Sequence, residues 1–298
     1  MIGGVATDLS ARTIVMAIVN RTPDSFFDEG ATFALEAAIA AGVRAVDDGA
    51  DWVDVGGVPF APGEPLPPKV ELERVLPVVR ALHEERPSAV LSVDTFHASV
   101  AEACLAAGAG IVNDTTGLTD PRLAAVVAAH GAQVVLTHSL AAPRRPYPAP
   151  RYDDVVKQVH ARLRELVAGA LAAGVGEHQL IIDPGPDLNK NTVHTLALLR
   201  DFAVFRTDGH PVLAAFSRKD VIGEALGLPK EERLAGSLAA ASAAIVAGAN
   251  VLRVHDVAAT RQAADFLDCV AGRREPIEAR HNVAPGSGQR WEGRGRDE

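Results

Sequence analysis

The chain has 298 residues, a formal net charge of −9, 48% apolar residues and only 4% aromatics. That length suits one large α/β domain or two small ones, and the acidity argues against a general nucleic-acid binder, which needs a basic field. Cys104 and Cys269 are too few for a disulfide framework, and neither a signal peptide nor an apolar run of roughly 18 residues is present, so a cytoplasmic protein with no membrane partner is expected.

Residues 1–12 read as a short leader without periodicity, and 13–20 as a buried strand, because Ile14, Val15, Met16, Ile18 and Val19 are apolar on both faces. A loop with Pro23 and Gly30 follows, then a helix over 34–49 with Leu35, Ile39, Val43 and Val46 on one face. The second strand is 52–57. Residues 58–68 carry five prolines and cannot be regular. Helix 69–85, strand 90–95, helix 97–107, strand 111–114, helix 121–130 and strand 133–139 come next. A Pro- and Arg-rich loop at 141–150 interrupts the rhythm. It resumes with helix 153–173, strand 179–185, helix 191–206 and strand 211–217. A short helix is expected from Asp220, then an alanine-rich helix at 231–248, strand 250–257 and helix 258–271. The polar tail 272–298 has no period and is expected to be disordered.

Eight strand–helix alternations predict one (β/α)8 TIM barrel over 13–271, a fold of typically about 250 residues. An open doubly wound sheet is the rival, but its G-x-G-x-x-G after the first strand is absent.

Polar residues gather at the carboxyl ends of the strands, where such barrels carry their chemistry. They are Asn20, Asp94, Asn113 with Asp114, His138, Asp183, then Ser217, Arg218 and Lys219, then Arg253, His255 and Asp256. Any one has a plainer reading as a helix cap or turn former, and His138 as a satisfied core histidine. Leaving His138 aside, their recurrence on strands 1, 3, 4, 6, 7 and 8 points to a site. A guanidinium in an apolar strand, as at Arg253, must be paired or bind an anion. Asp94, Asn113 and Asp183 suit a flat heterocycle with paired N–H groups. Arg218, Lys219, Arg253 and His255 suit phosphate oxygens. Asn20 is a neutral oxygen ligand able to help hold Mg²⁺ on a diphosphate.

Seven blocks in order resemble the dihydropteroate synthase family: NRTPDSF at 20–26, VDVGG at 53–57, SVDT at 92–95, VND at 112–114, DPG at 183–185, SRK at 217–219 and RVHDV at 253–257. The resemblance implies a dimeric TIM barrel that joins 6-hydroxymethyl-7,8-dihydropterin diphosphate to 4-aminobenzoate with release of pyrophosphate. It implies that Asp94, Asn113, Asp183 and Lys219 bind the pterin, and that Asn20 with Mg²⁺, Arg253 and His255 hold the diphosphate. Asp28 matches a loop-1 carboxylate near the pterin methylene, and Asp28, Lys219 and Arg253 are the expected catalytic residues. Pyrophosphate would leave before the arylamine attacks.

The departures cluster. Where the family continues E-S-T-R-P-G after VDVGG, this chain has Val58, Pro59, Phe60, Ala61, Pro62 and Gly63. The loop arginine is therefore Ala61. Arg21 and Phe27 replace the usual valine and serine, and Arg21 is a candidate substitute cation. Asp220 stands where a serine usually receives the benzoate carboxylate, and is expected to cap its own helix and repel that group. Leu188 stands where an aromatic is usual, and Thr137 and Ser139 flank His138 where methionine is usual. The pterin pocket is kept and the arylamine pocket rewritten. The expectation is a paralogue with weak or lost synthase activity. An active synthase and a pterin-dependent methyltransferase stay open. The alanine-rich segment 235–249 is a possible dimer face, with ordinary barrel packing as its plainer reading.

Overall fold

The computed structural model describes residues 2–5, 7–22, 33–146 and 149–281. Eight strands alternate with helices: β1 Ile14–Asn20, α1 Leu35–Asp47, β2 Trp52–Gly56, α2 Pro68–Glu85, β3 Val90–Asp94, α3 Ala98–Ala106, β4 Ile111–Asp114, α4 Leu123–His130, β5 Gln133–Thr137, α5 Val155–Ala172, β6 Leu180–Asp183, α6 Thr192–Arg200, β7 Leu213–Ala214, α7 Asp220–Leu226, α8 Leu234–Val246, β8 Val251–Val254 and α9 Val257–Val270. All pairings are parallel, in the order β6-β5-β4-β3-β2-β1-β8-β7. The two edges meet through a parallel bridge between Ile182 and Val212, with the Ile182 amide donating to the Pro211 carbonyl at 3.0 Å. The sheet therefore closes as a TIM barrel, which removes the open-sheet alternative.

Period-two alternation sorts the strand residues. Val15, Val53, Leu91, Val112, Val134 and Leu252 face the helix layer. Ile14, Met16, Trp52, Val90, Ile111, Val135, Ile181, Leu213 and Val251 fill the barrel's lower interior. Two residues further along β2, β3, β4 and β8, the interior positions turn polar: Asp54, Ser92, Asn113 and Arg253. Register places Asn20 opposite Gly56, Gly56 opposite Asp94 and Asp94 opposite Asn113, so these four form one row at the rim.

Within the leader, Ile2 is buried beneath the barrel and pairs with Val5. Two expectations need correction. The helix expected over 191–206 stops at Arg200, and a tight 3-10 turn at Phe202–Arg206 drives Phe202 and Phe205 into the core. β7 holds its ladder over only two residues: Pro211 has no amide to donate, and the chain turns sharply at Arg218, where φ is +53°. Residues 272–281 contain no helix or strand, but Arg273 and Arg274 tie them to Asp268 and Asp265 of α9. The remainder of the expected disordered tail, 282–298, lies outside the described residues.

Among the described residues, no helix is long and apolar enough to cross a membrane.

Candidate functional site

A cavity of about 360 Å³ opens at the carboxyl ends of the strands. Asn20, Asp94, Asn113, Asp183, Lys219, Arg253 and His255 line its inner part, and Phe60, Ala61, Leu188 and Asp220 its outer part. Asp28 lies outside the described residues.

The inner part is built around Arg253. Its Nε donates to Asp54 Oδ2 at 2.7 Å and its Nη2 to Asp94 Oδ2 at 3.0 Å. Asp54 is fully buried and also accepts from Ser92 Oγ at 2.6 Å and Asn113 Nδ2 at 2.9 Å. The guanidinium is thus paired with two carboxylates, which offsets part of its pull on an anion. Burial, then the neighbouring charges of Asp54, Glu71 and Asp114, outweigh Arg253 at Asp94 and push its carboxyl up to about 7. Opposite, Asp183 accepts the Gly185 amide at 2.7 Å and faces the charge of Lys219. Lys219 donates to the Pro186 carbonyl at 2.6 Å. Burial raises Asp183 and lowers Lys219, each drawn back by the other's charge. His255 sits against Ser217 Oγ at 3.1 Å, and burial followed by Arg253 pulls its imidazole down to about 3. It is neutral near pH 7, so the expectation of a fourth cation is corrected to a neutral donor or acceptor.

Some strand-end residues are not brought in. Asp114 follows Asn113 on the same strand, so it points outward, where it accepts from Thr116 N, Thr116 Oγ1 and Leu118 N. Arg218 makes a two-pronged pair with Asp256, both bonds 2.7 Å, and donates to the Lys230 and Glu231 carbonyls. It is therefore not a phosphate ligand at the cavity. His138 is buried, receives Lys190 Nζ at 3.0 Å, and is held down to about 3 by burial and by that lysine. It is the satisfied core histidine of the plainer reading.

Asp54 is the residue sequence reasoning missed. Its signal was present as a carboxylate in the apolar strand Trp52–Gly56, which demands a buried partner. Phe96 and Thr115, just past β3 and β4, also line the cavity.

The outer part is walled by residues 58–62, Pro143, Asp187, Leu188 and Asp220. The proline-rich loop is held across the mouth by Arg144, whose Nη1 donates to the Ala61 carbonyl at 2.9 Å and whose Nε donates to that of Glu64 at 3.1 Å. Two main-chain bonds, Gly63 N to Arg144 O and Arg144 N to Phe60 O, complete the seam. Asp187 lies across the start of α7: its Oδ2 accepts the Val221 amide at 3.0 Å.

The family model described as pterin binding enzyme matches residues 16–255. A Mycobacterium tuberculosis protein named "Inactive dihydropteroate synthase 2" is 45% identical over 92% of this chain and 87% of its own. The Bacillus subtilis dihydropteroate synthase is 37% identical over 90% of this chain and 92% of its own. The chain belongs to the dihydropteroate synthase family. Among solved structures, the Xanthomonas albilineans dihydropteroate synthase in complex with 7,8-dihydropteroate shares 43% identity and a TM-score of 0.80, covering 90% of this chain and 97% of that one.

Two expectations carried from the dihydropteroate synthase pattern change with the geometry. Asp220 is the first residue of α7 and does not cap it; Lys219 holds the cap position, and the Asp220 carboxylate, largely exposed, pairs with Arg233 at 3.0 Å. Arg21 turns away from the cavity and donates to the carbonyls of Phe33, Glu73 and Arg74, so it does not stand in for the loop arginine.

For Mg²⁺, the described residues contain no group of three or more His, Cys, Asp or Glu placed to hold a metal. Asn20 supplies a single neutral oxygen, drawn close to β2 by Gly56, where a Cβ would come within 2.8 Å of its Oδ1. The donor set does not fit a metal held by protein alone; it fits an ion carried in by substrate phosphates.

Proposed function

We propose that this protein binds 6-hydroxymethyl-7,8-dihydropterin diphosphate and that its transfer to 4-aminobenzoate is weak or lost. The observation that carries the reading is the inner row of Asp94, Asn113 and Asp183 beside Lys219 and Arg253 in one cavity. Acceptors and an amide at that spacing suit the N–H edge of a pterin, and Lys219 suits a ring acceptor. Arg253 and a neutral His255 N–H meet the diphosphate, whose Mg²⁺ enters with it and gains one oxygen from Asn20. Loss of transfer is supported by Ala61 and Phe60 in the loop that covers the site, by the outward Arg21, and by mycobacterial relatives named as inactive. Removing one oriented donor from a departing anion costs about 3 kcal/mol, roughly a hundredfold in rate.

Apolar Val246, Phe266 and Val270 stand exposed on α8 and α9, which supports a homodimer. The alanines at 240, 241 and 244 face inward as barrel packing. Cys104 and Cys269 are both free thiols, which suits the cytoplasm. The retained inner cavity and the 37% identity to the Bacillus subtilis enzyme favour an active synthase as the second reading.

Calorimetry with the dihydropterin diphosphate and Mg²⁺ tests binding, and pyrophosphate release with and without 4-aminobenzoate tests transfer. Binding with release about a hundredfold below an active synthase is expected; turnover at ordinary rates would overturn the loss of activity, and absence of binding the whole reading.

A further inference from the structure

We propose that the outer half of the cavity is a subsite for a second ligand that is neutral or cationic at its distal end, and that Asp187 sets this preference. The inference rests on the reading that a pterin fills the inner half.

Asp187 lines the outer half of the cavity and reaches the first turn of α7. Its Oδ2 is 3.0 Å from the Val221 amide, so that main-chain donor is already satisfied from within the chain. The carboxylate cannot swing aside cheaply. Its other oxygen accepts from Thr195 Oγ1 at 2.8 Å, the Asp187 amide donates back to the same hydroxyl at 3.1 Å, and Thr195 is fully buried. The backbone there is left-handed, with φ +61°, which asparagine and aspartate tolerate better than larger residues.

The remaining surroundings agree. Asp220 adds a second carboxylate to the rim, and its partner Arg233 is not among the lining residues. Lys219 donates to the Pro186 carbonyl and is shared between the charges of Asp183 and Asp187, so it offsets only part of the negative charge at Asp187. Phe60 and Leu188 supply apolar walls. An anion entering this half would meet the Asp187 and Asp220 carboxylates and find the Val221 amide already taken; a neutral or cationic group on an apolar body would meet neither penalty.

The test uses three arylamines that differ only in the para substituent: 4-aminobenzoate, 4-aminobenzamide and 4-aminobenzamidine. Each is titrated calorimetrically into the full-length protein saturated with oxidised 6-hydroxymethylpterin, which has no leaving group. The amide and amidine are expected to bind at least about tenfold more tightly than the benzoate. In Asp187→Asn the side-chain oxygen still accepts from Val221, so the loop is kept and the gap should shrink. Benzoate binding as tightly as the others, no binding by any of the three, or an unchanged gap in Asp187→Asn would each overturn the inference. The series is repeated without pterin, and pterin binding is measured separately. Failure of the inner-site reading therefore appears as lost pterin binding, and failure of this inference as a wrong order among the arylamines.

Discussion

Asp54 of β2 and Arg253 of β8, 199 residues apart in the chain, meet at 2.7 Å inside the barrel, with β1 between their strands. Asp54 also orients Ser92 and Asn113, so one buried carboxylate arranges side chains from three other strands. Asp54→Ala would leave Arg253 with one partner and Asn113 with an unmet donor. Breaking a buried pair from one side costs on the order of 3–5 kcal/mol. A matching loss in urea unfolding, with weakened pterin affinity, is expected; a change within the scatter of surface substitutions would show that the pair organises nothing.

Asp94 predicts a pH effect of definite sign. Its carboxyl is raised from 3.8 to about 7. Within that window the folded protein holds a proton the unfolded chain has released, so this group's contribution to stability falls as pH rises through it. Ligand binding runs the other way, since a pterin N–H edge needs the ionised acceptor. Affinity should therefore drop as pH falls below about 7, and Asp94→Asn should flatten the profile. Calorimetry on either side of neutrality reads both.

His255 and His138 are each lowered from 6.5 to about 3. Between those values the unfolded chain is protonated and the folded protein is not, so both make stability fall as pH falls through the window. His138→Asn keeps an acceptor for Lys190 and removes the titration. The acid limb of the stability curve should become shallower by about 1.4 kcal/mol per pH unit, the slope of one proton. Asp94 acts with opposite sign over part of this range, so the difference between variant and parent is the quantity to follow.

Gly185 lies at φ +65°, and a Cβ there would strike the His138 carbonyl oxygen. It also gives its amide to Asp183. Gly185→Ala is expected to cost at least about 3 kcal/mol through strain and a displaced pterin acceptor. Chemical denaturation of the variant, if near the parent's, would contradict the packing described.

Arg144 is half-buried, but its side-chain bonds to the Ala61 and Glu64 carbonyls are solvent-exposed and should add less than about 1 kcal/mol to global stability. Arg144→Ala should leave the melting temperature nearly unchanged while residues 58–66 exchange their amides faster. Equal exchange in parent and variant would mean that the seam does not hold the loop.

Alternation of apolar strands with amphipathic helices was legible in the sequence because it follows local periodicity, and so was the barrel. So too were Asn20, Asp94, Asn113, Asp183, Lys219 and Arg253, since a polar group ending a buried strand is conspicuous in the chain itself. The orientation of each side chain was not legible. In strands apolar on both faces the inward phase cannot be read, so Asn113 and Asp114 looked equivalent until the sheet closed and sent one in and one out. Pairing was hidden for a further reason. Whether Arg218 or Arg253 faced the cavity, whether His255 was charged, and whether Asp187 or Asp220 met α7 all depend on partners distant in sequence. Only closure of the barrel brings those charges near enough, and far enough from water, for one arrangement to prevail.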